Sequence, residues 1–171
     1  MTPEQAAKAG ALRYQDGWQA LRGLLAPDST VNKGNPALVD VRDAWDEAQA
    51  RFAQAGDLSP ANSQARAAYY AQSARVALAQ AWLAQSLGQA KGWAADVIGF
   101  LDIAESAYKG EPAAWGGDWV RQRAGQILTT AGADSDLAPQ WGAKFLEPPS
   151  SAGVVFGLLG LLAGAYAWSK S

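Results

Sequence analysis

The chain has 171 residues, with 14 basic and 16 acidic side chains and neither histidine nor cysteine. That length suits one domain with an appendage. The missing residue types exclude disulfides, thiolate metal sites and every nucleophile that relies on a histidine base, and the lack of a basic excess argues against nucleic acid as a partner.

The opening stretch "MTPEQAAKAGALRYQDGW" is polar and mixed in charge. It has no apolar run and no small-residue cleavage site, so a secretory signal is not expected. Thr2-Pro3 starts a helix: threonine caps free amides, and proline suits the first helical position because its missing N–H would be unpaired there. Ala7, Ala11, Tyr14, Trp18, Leu21 and Leu25 then recur at steps of four and three, the period of an amphipathic helix, which Pro27 ends. The oxygen-rich run from Asp28 to Val39 fails as a calcium loop, because Lys33 stands where the glycine belongs and Val39 where the bidentate glutamate belongs.

Asn35-Pro36 opens a second helix with the stripe Leu38, Val41, Trp45, Ala48, Phe52 and Ala55, closed by Gly56. Asp40, Asp43 and Glu47 lie near one face of it. Carboxylates there complement the positive end of the helix dipole, and Arg42 is placed to pair with Asp46; a metal site is the weaker account. Ser59-Pro60 predicts the start of a third helix over 60–88. Its last part merges into "VALAQAWLAQSLGQA", Val76 to Ala90, which carries no charge. Gln80, Gln85, Ser86 and Gln89 interrupt that run and it is too short to span a bilayer, so it is expected at the centre of a bundle.

A fourth helix over 92–109 shows Trp93, Val97, Leu101, Ala104 and Tyr108 and stops at Gly110. Asp102 and Glu105 lie three apart on it, and nothing marks them for acid–base work. A fifth, from Glu111-Pro112 to 131, shows Val120, Ala124, Ile127 and Ala131, with Gly132 as its stop. No 34-residue period recurs, so a solenoid of helix pairs is not expected. Trp18, Trp45, Trp82 and Trp93 fall on apolar stripes. Trp115, Trp119 and Trp141 lie in glycine-containing stretches and are expected partly exposed, as contacts for a partner.

The end of the chain differs in kind. Ser150 to Ser169 holds no charge, and "GVVFGLLGLLAGAYAW" runs from Gly153 to Trp168. As a helix these sixteen residues extend about 24 Å, close to the ~30 Å hydrocarbon layer once their flanks are included. Tyr166 and Trp168 suit a membrane interface, and Lys170 can reach the headgroups. Gly153, Gly157, Gly160 and Gly164 step by four, three and four, so they form one face on which another helix backbone can approach closely.

The sequence thus predicts an all-α protein: a bundle of about five amphipathic helices over 1–132, a linker over 133–149 and a C-terminal transmembrane anchor over 150–171. No catalytic, metal or cofactor motif is present, and no phosphate-binding or dinucleotide signature. The expected function is non-enzymatic: a membrane-anchored structural or assembly protein whose partners are a lipid bilayer and other protein subunits or copies of itself, with neither nucleic acid nor a small-molecule substrate. One setting that suits it is the membrane of a bacteriophage virion, where it would bridge bilayer and protein shell. Two alternatives are a membrane-permeabilising protein that oligomerises through the glycine-faced tail, and a helical adaptor at a bacterial inner membrane.

Overall fold

The structure, a computed structural model, describes residues 1–25, 31–32, 34–84, 87–107 and 117–131. These form five helices, α1 (Pro3–Arg22), α2 (Leu38–Leu58), α3 (Gln64–Leu83), α4 (Leu87–Ala107) and α5 (Gly117–Ala131). There is no strand among the described residues, only an isolated antiparallel bridge between Leu25 and Val31 across the α1–α2 connection.

Several of the helix ends have a local cause. Thr2 caps α1 as expected: its Oγ1 accepts from the Gln5 amide at 3.2 Å while the Gln5 side chain accepts from the Thr2 amide at 2.9 Å. The other two expected caps sit elsewhere. Asn35 Oδ1 accepts from the Ala37 amide at 3.0 Å, which orders a turn ahead of α2, and the helix itself starts after Ala37 with no side-chain cap. Ser59 ends α2 and does not begin α3. Pro60 forces it into extended backbone (φ −81°, ψ 151°), and its Oγ donates to the Ala55 carbonyl at 2.8 Å. Asn62 then takes the left-handed conformation at φ 60°, which asparagine tolerates, and Ser63 caps α3 through the Arg66 amide at 3.1 Å.

α1 and α2 form an antiparallel hairpin whose seam is small on one side and aromatic on the other. Trp45 is fully buried and lies flat on Gly17; a Cβ there would stand 2.5 Å from its Cδ1. Its Nε1 donates to the Tyr14 carbonyl at 3.3 Å, and its ring meets those of Tyr14 and Trp18 at 6.1 and 5.5 Å between centroids. Gly56 serves the α2–α3 seam in the same way: it is helical and buried under Tyr70 and does not act as the stop expected of it.

α3 is the inner helix, packed against α2, α4 and α5. Fifteen of its twenty residues are buried, so burial runs round its whole circumference. Alanines at 67, 71, 74, 77, 79 and 81 make this possible, because small side chains let three neighbours come close at little entropic cost. The helix ends at Leu83, with Ala84 in a non-helical conformation (ψ 133°), so the uncharged run 76–90 is divided between α3 and α4. The principal core joins Leu21, Leu38, Val41, Trp45, Leu78, Trp82, Val97, Leu101, Val120 and Ile127. The predicted stripe of α2 faces it, as do Trp93, Val97 and Leu101 of α4 and Val120, Ala124 and Ile127 of α5; Ala104 joins a second cluster with Tyr70, and Tyr108 lies outside the described residues.

Candidate functional site

Three places on the described bundle have chemistry worth testing as a site. The acidic face of α2 is the first. Glu47 accepts from Arg13 Nε at 2.6 Å and lies 3.6 Å from Arg51 Nη2, while Arg13 also pairs with Asp16 at 3.3 Å. The Glu47 hydrogen bond and charge hold the Arg13 guanidinium further above its ordinary range, with Asp16 adding to them. Glu47 is therefore committed to tying α1 to α2, and no group of carboxylates able to hold a metal ion occurs among the described residues. Asp46 does not form the expected ion pair with Arg42. It accepts from Gln80 of α3, and burial, followed by repulsion from Asp43, pushes its carboxyl above the ordinary range.

The second is the pair Asp102 and Glu105 on α4. Both accept from Arg121 Nη2 of α5, at 3.0 and 2.9 Å. Burial lowers the Arg121 pKa, but the bonds to Asp102 and Glu105 outweigh that and leave it raised. The pair works as an electrostatic staple between two helices, with both carboxylates open to solvent, 62 and 42 % exposed.

The third is a shallow groove of about 440 Å³ lined by Ala61, Asn62, Arg66, Asp102, Ile103 and Ala107. Arg66 forms one wall, but its Nη1 is turned to the carbonyls at the end of α2, Gly56 at 3.0 Å, Ser59 at 3.4 Å and Asp57 at 3.5 Å. Its guanidinium also covers the Tyr70 ring at 5.4 Å. Tyr70 in turn donates to Asp57, and burial, reinforced by that contact, pushes its hydroxyl pKa up. Arg66 thus closes the C-terminal end of α2, where a cation offsets the negative end of the dipole. Ser106 also faces the groove, but its Oγ donates to the Asp102 carbonyl at 2.8 Å, so no activated hydroxyl is presented.

Of the tryptophans expected at a partner surface, Trp119 is 6 % exposed and belongs to the principal core beside Val120. The expectation of exposure fails there because α5 turns this side of its first turn onto the bundle. Its Nε1 is buried without a hydrogen-bond partner among the described residues. Trp115 and Trp141 lie outside the described residues. So do the linker 133–149, the glycine face at Gly153, Gly157, Gly160 and Gly164, and the interface residues Tyr166, Trp168 and Lys170. Among the described residues, no helix is long and apolar enough to cross a membrane. No protein-family model matches the chain, and searches of curated proteins and of solved structures find no match.

Proposed function

We propose that the helical bundle is held at a lipid bilayer by the segment 150–171 and acts there by binding and positioning other protein subunits, without catalysis. The observation that carries this reading is the contrast between bundle and tail. Apolar faces of α1, α2, α4 and α5 and nearly all of α3 are used within the bundle, and the large apolar side chains left exposed among the described residues are Met1 ahead of α1, Leu12 on α1, Val39 and Leu58 on α2 and Ile103 on α4. Ser150 to Ser169 is uncharged throughout and apolar on every side but its glycine face, and such a helix needs burial all round, which a bilayer supplies. Support for a non-catalytic role comes from the absence of histidine and cysteine and from Glu47, Asp102 and Glu105 being engaged by arginines. An assembly role at a virion membrane suits a small chain of this chemistry.

The test is flotation with vesicles of phosphatidylcholine and phosphatidylglycerol. The full chain is expected to float with the lipid, and a chain ending at residue 149 to stay behind while keeping a cooperative helical melt. A truncated chain that loses its helical signal would place the tail in the core and overturn the reading. Release of a trapped dye by the full chain would replace the anchor with the permeabilising alternative. Gly157→Leu and Gly160→Leu should leave flotation intact and abolish energy transfer between labelled tails or between tail and partner, since leucine favours insertion but holds helices apart. Leu159→Ala, off the glycine face, is the control.

A further inference from the structure

The α2–α3 interface is joined by polar contacts at three levels: Tyr70 on Asp57, Ser73 Oγ on the Gln49 carbonyl at 3.2 Å, and Gln80 on Asp46. The last is incomplete. Gln80 is 5 % exposed; its Nε2 donates to Asp46 Oδ1, and its Oε1 is buried with no hydrogen-bond partner among the described residues. An ionised carboxylate only accepts, so the second Asp46 oxygen can offer nothing to Oε1 while the charge remains. A buried carbonyl left unpaired in this way weighs against the fold.

We propose that Asp46 and Gln80 are a proton-operated clasp across the α2–α3 interface, in which protonation of Asp46 turns one hydrogen bond into two. The proton comes from solvent and binds Oδ2, and no other covalent bond changes. Oδ2–H then donates to Gln80 Oε1 while Nε2–H still donates to Oδ1, closing a planar acid–amide ring that satisfies both ends of the buried amide. The charges acting on Asp46 among the described residues are Asp43 and Arg42, both on α2, and α3 presents the uncharged Gln80. Asp46 keeps an exposed edge, but partial desolvation, followed by Asp43, raises its pKa, while the Gln80 bond and Arg42 lower it, and the net direction is upward. A raised folded-state pKa means that this contribution to stability is fully present below the ordinary aspartate value and is lost as pH rises through the folded value. The clasp therefore tightens on acidification. Arginines hold other carboxylates of the bundle, Glu47, Asp102 and Glu105, so the clasp is read as a difference between variants.

The test uses Asp46→Asn in the full chain in neutral detergent. An asparagine amide makes the same two-bond ring at every pH, so it fixes the clasp shut. The variant is expected to melt about 2–4 °C above the parent near neutral pH, with the gap closing as the pH falls to about 4, the ordinary aspartate value. The second measurement needs only the parent chain: the Asp46 carboxyl carbon and the Gln80 side-chain amide protons, followed by NMR, should titrate together with a midpoint above the ordinary aspartate range. A melting gap that does not change with pH, or Gln80 signals indifferent to the Asp46 titration, overturns the proposal. If Asp46→Asn fails to fold, the parent titration alone decides.

Discussion

Replacing Gly17 with alanine puts a methyl group into space that Trp45 already fills. The added Cβ would stand 2.5 Å from Trp45 Cδ1, far inside van der Waals contact, and closer still to Nε1. The indole is rigid and fully buried, with Tyr14 and Trp18 against it, so it has nowhere to swing. Relief requires α1 and α2 to separate or Trp45 to leave its pocket and give up its bond to the Tyr14 carbonyl. Overpacking of this kind costs about 1–3 kcal/mol and the lost hydrogen bond about 1 kcal/mol. Against these stands the better helix propensity of alanine, about 1 kcal/mol. The net expectation is destabilisation by about 1–3 kcal/mol. Gly99 on α4 is the internal control, because a Cβ there meets nothing within 4 Å. Gly99→Ala should stabilise by about 1 kcal/mol, since only the propensity term remains. Urea unfolding followed by far-UV circular dichroism measures both. If Gly17→Ala is as stable as the parent while Gly99→Ala gains, the seam is looser than described and the reasoning fails.

Ser63→Ala should cost about 1 kcal/mol and speed amide exchange at Arg66, whose N–H it strands; Ser59→Ala removes a buried bond to the Ala55 carbonyl, costs a similar ~1 kcal/mol and leaves Arg66 exchange unchanged. Equal Arg66 exchange rates in the two variants would show that Ser63 does not cap α3. Arg66→Met should cost about 1–2 kcal/mol, because several carbonyls at the end of α2 lose a charged donor. Arg121→Met should cost under about 1 kcal/mol, and that loss should shrink in high salt, since its carboxylate partners are largely in water. The reverse ranking would show that the Arg66 contacts are not maintained in solution.

The five helices were legible in the sequence because apolar side chains recur at helical spacing between proline and glycine punctuation. The α2 stripe from Leu38 to Ala55 is buried at each predicted position. What periodicity of apolar residues cannot reveal is the role of the residues without side chains. Gly10, Gly17 and Gly56 are seam positions, and a pattern of large residues is blind to them. Gly56 looked like a helix stop because glycine serves both purposes; only Tyr70, fourteen residues on, decides between them. Ser59 was misplaced for a related reason. A serine before a proline satisfies the rule for a helix start and equally the rule for a chain leaving a helix, and the choice rests on Asn62 and Ser63, which make a second start possible four residues later. The long-range polar contacts of Arg66 and Gln80 have no local signal at all. Glycine neighbours suggest exposure for Trp119, whereas the facing of α5 against α3 and α4 buries it.

The two charge-free stretches of the chain can now be told apart by what they do with polar groups. The first, Val76 to Ala90, contains Gln80, and the same helix carries Ser73 one turn before that stretch begins; both are buried and both donate to α2. A polar side chain in an apolar helix is tolerated when a neighbouring helix supplies its partner in a fixed register, and that is the condition inside a protein bundle. The stretch from Gly153 to Trp168 has only Tyr166 and Trp168 as side chains able to hydrogen-bond, and both are at its end. Its interior asks nothing of a neighbour except close approach along the glycines. α3 thus carries marks of a helix whose surroundings are specified residue by residue, while the sequence of the tail asks only for apolar surroundings. That difference is the support for the proposal that the second meets lipid. It also separates the tests: damage to the α2–α3 contacts should unfold the bundle and spare flotation, and damage to the tail should do the reverse.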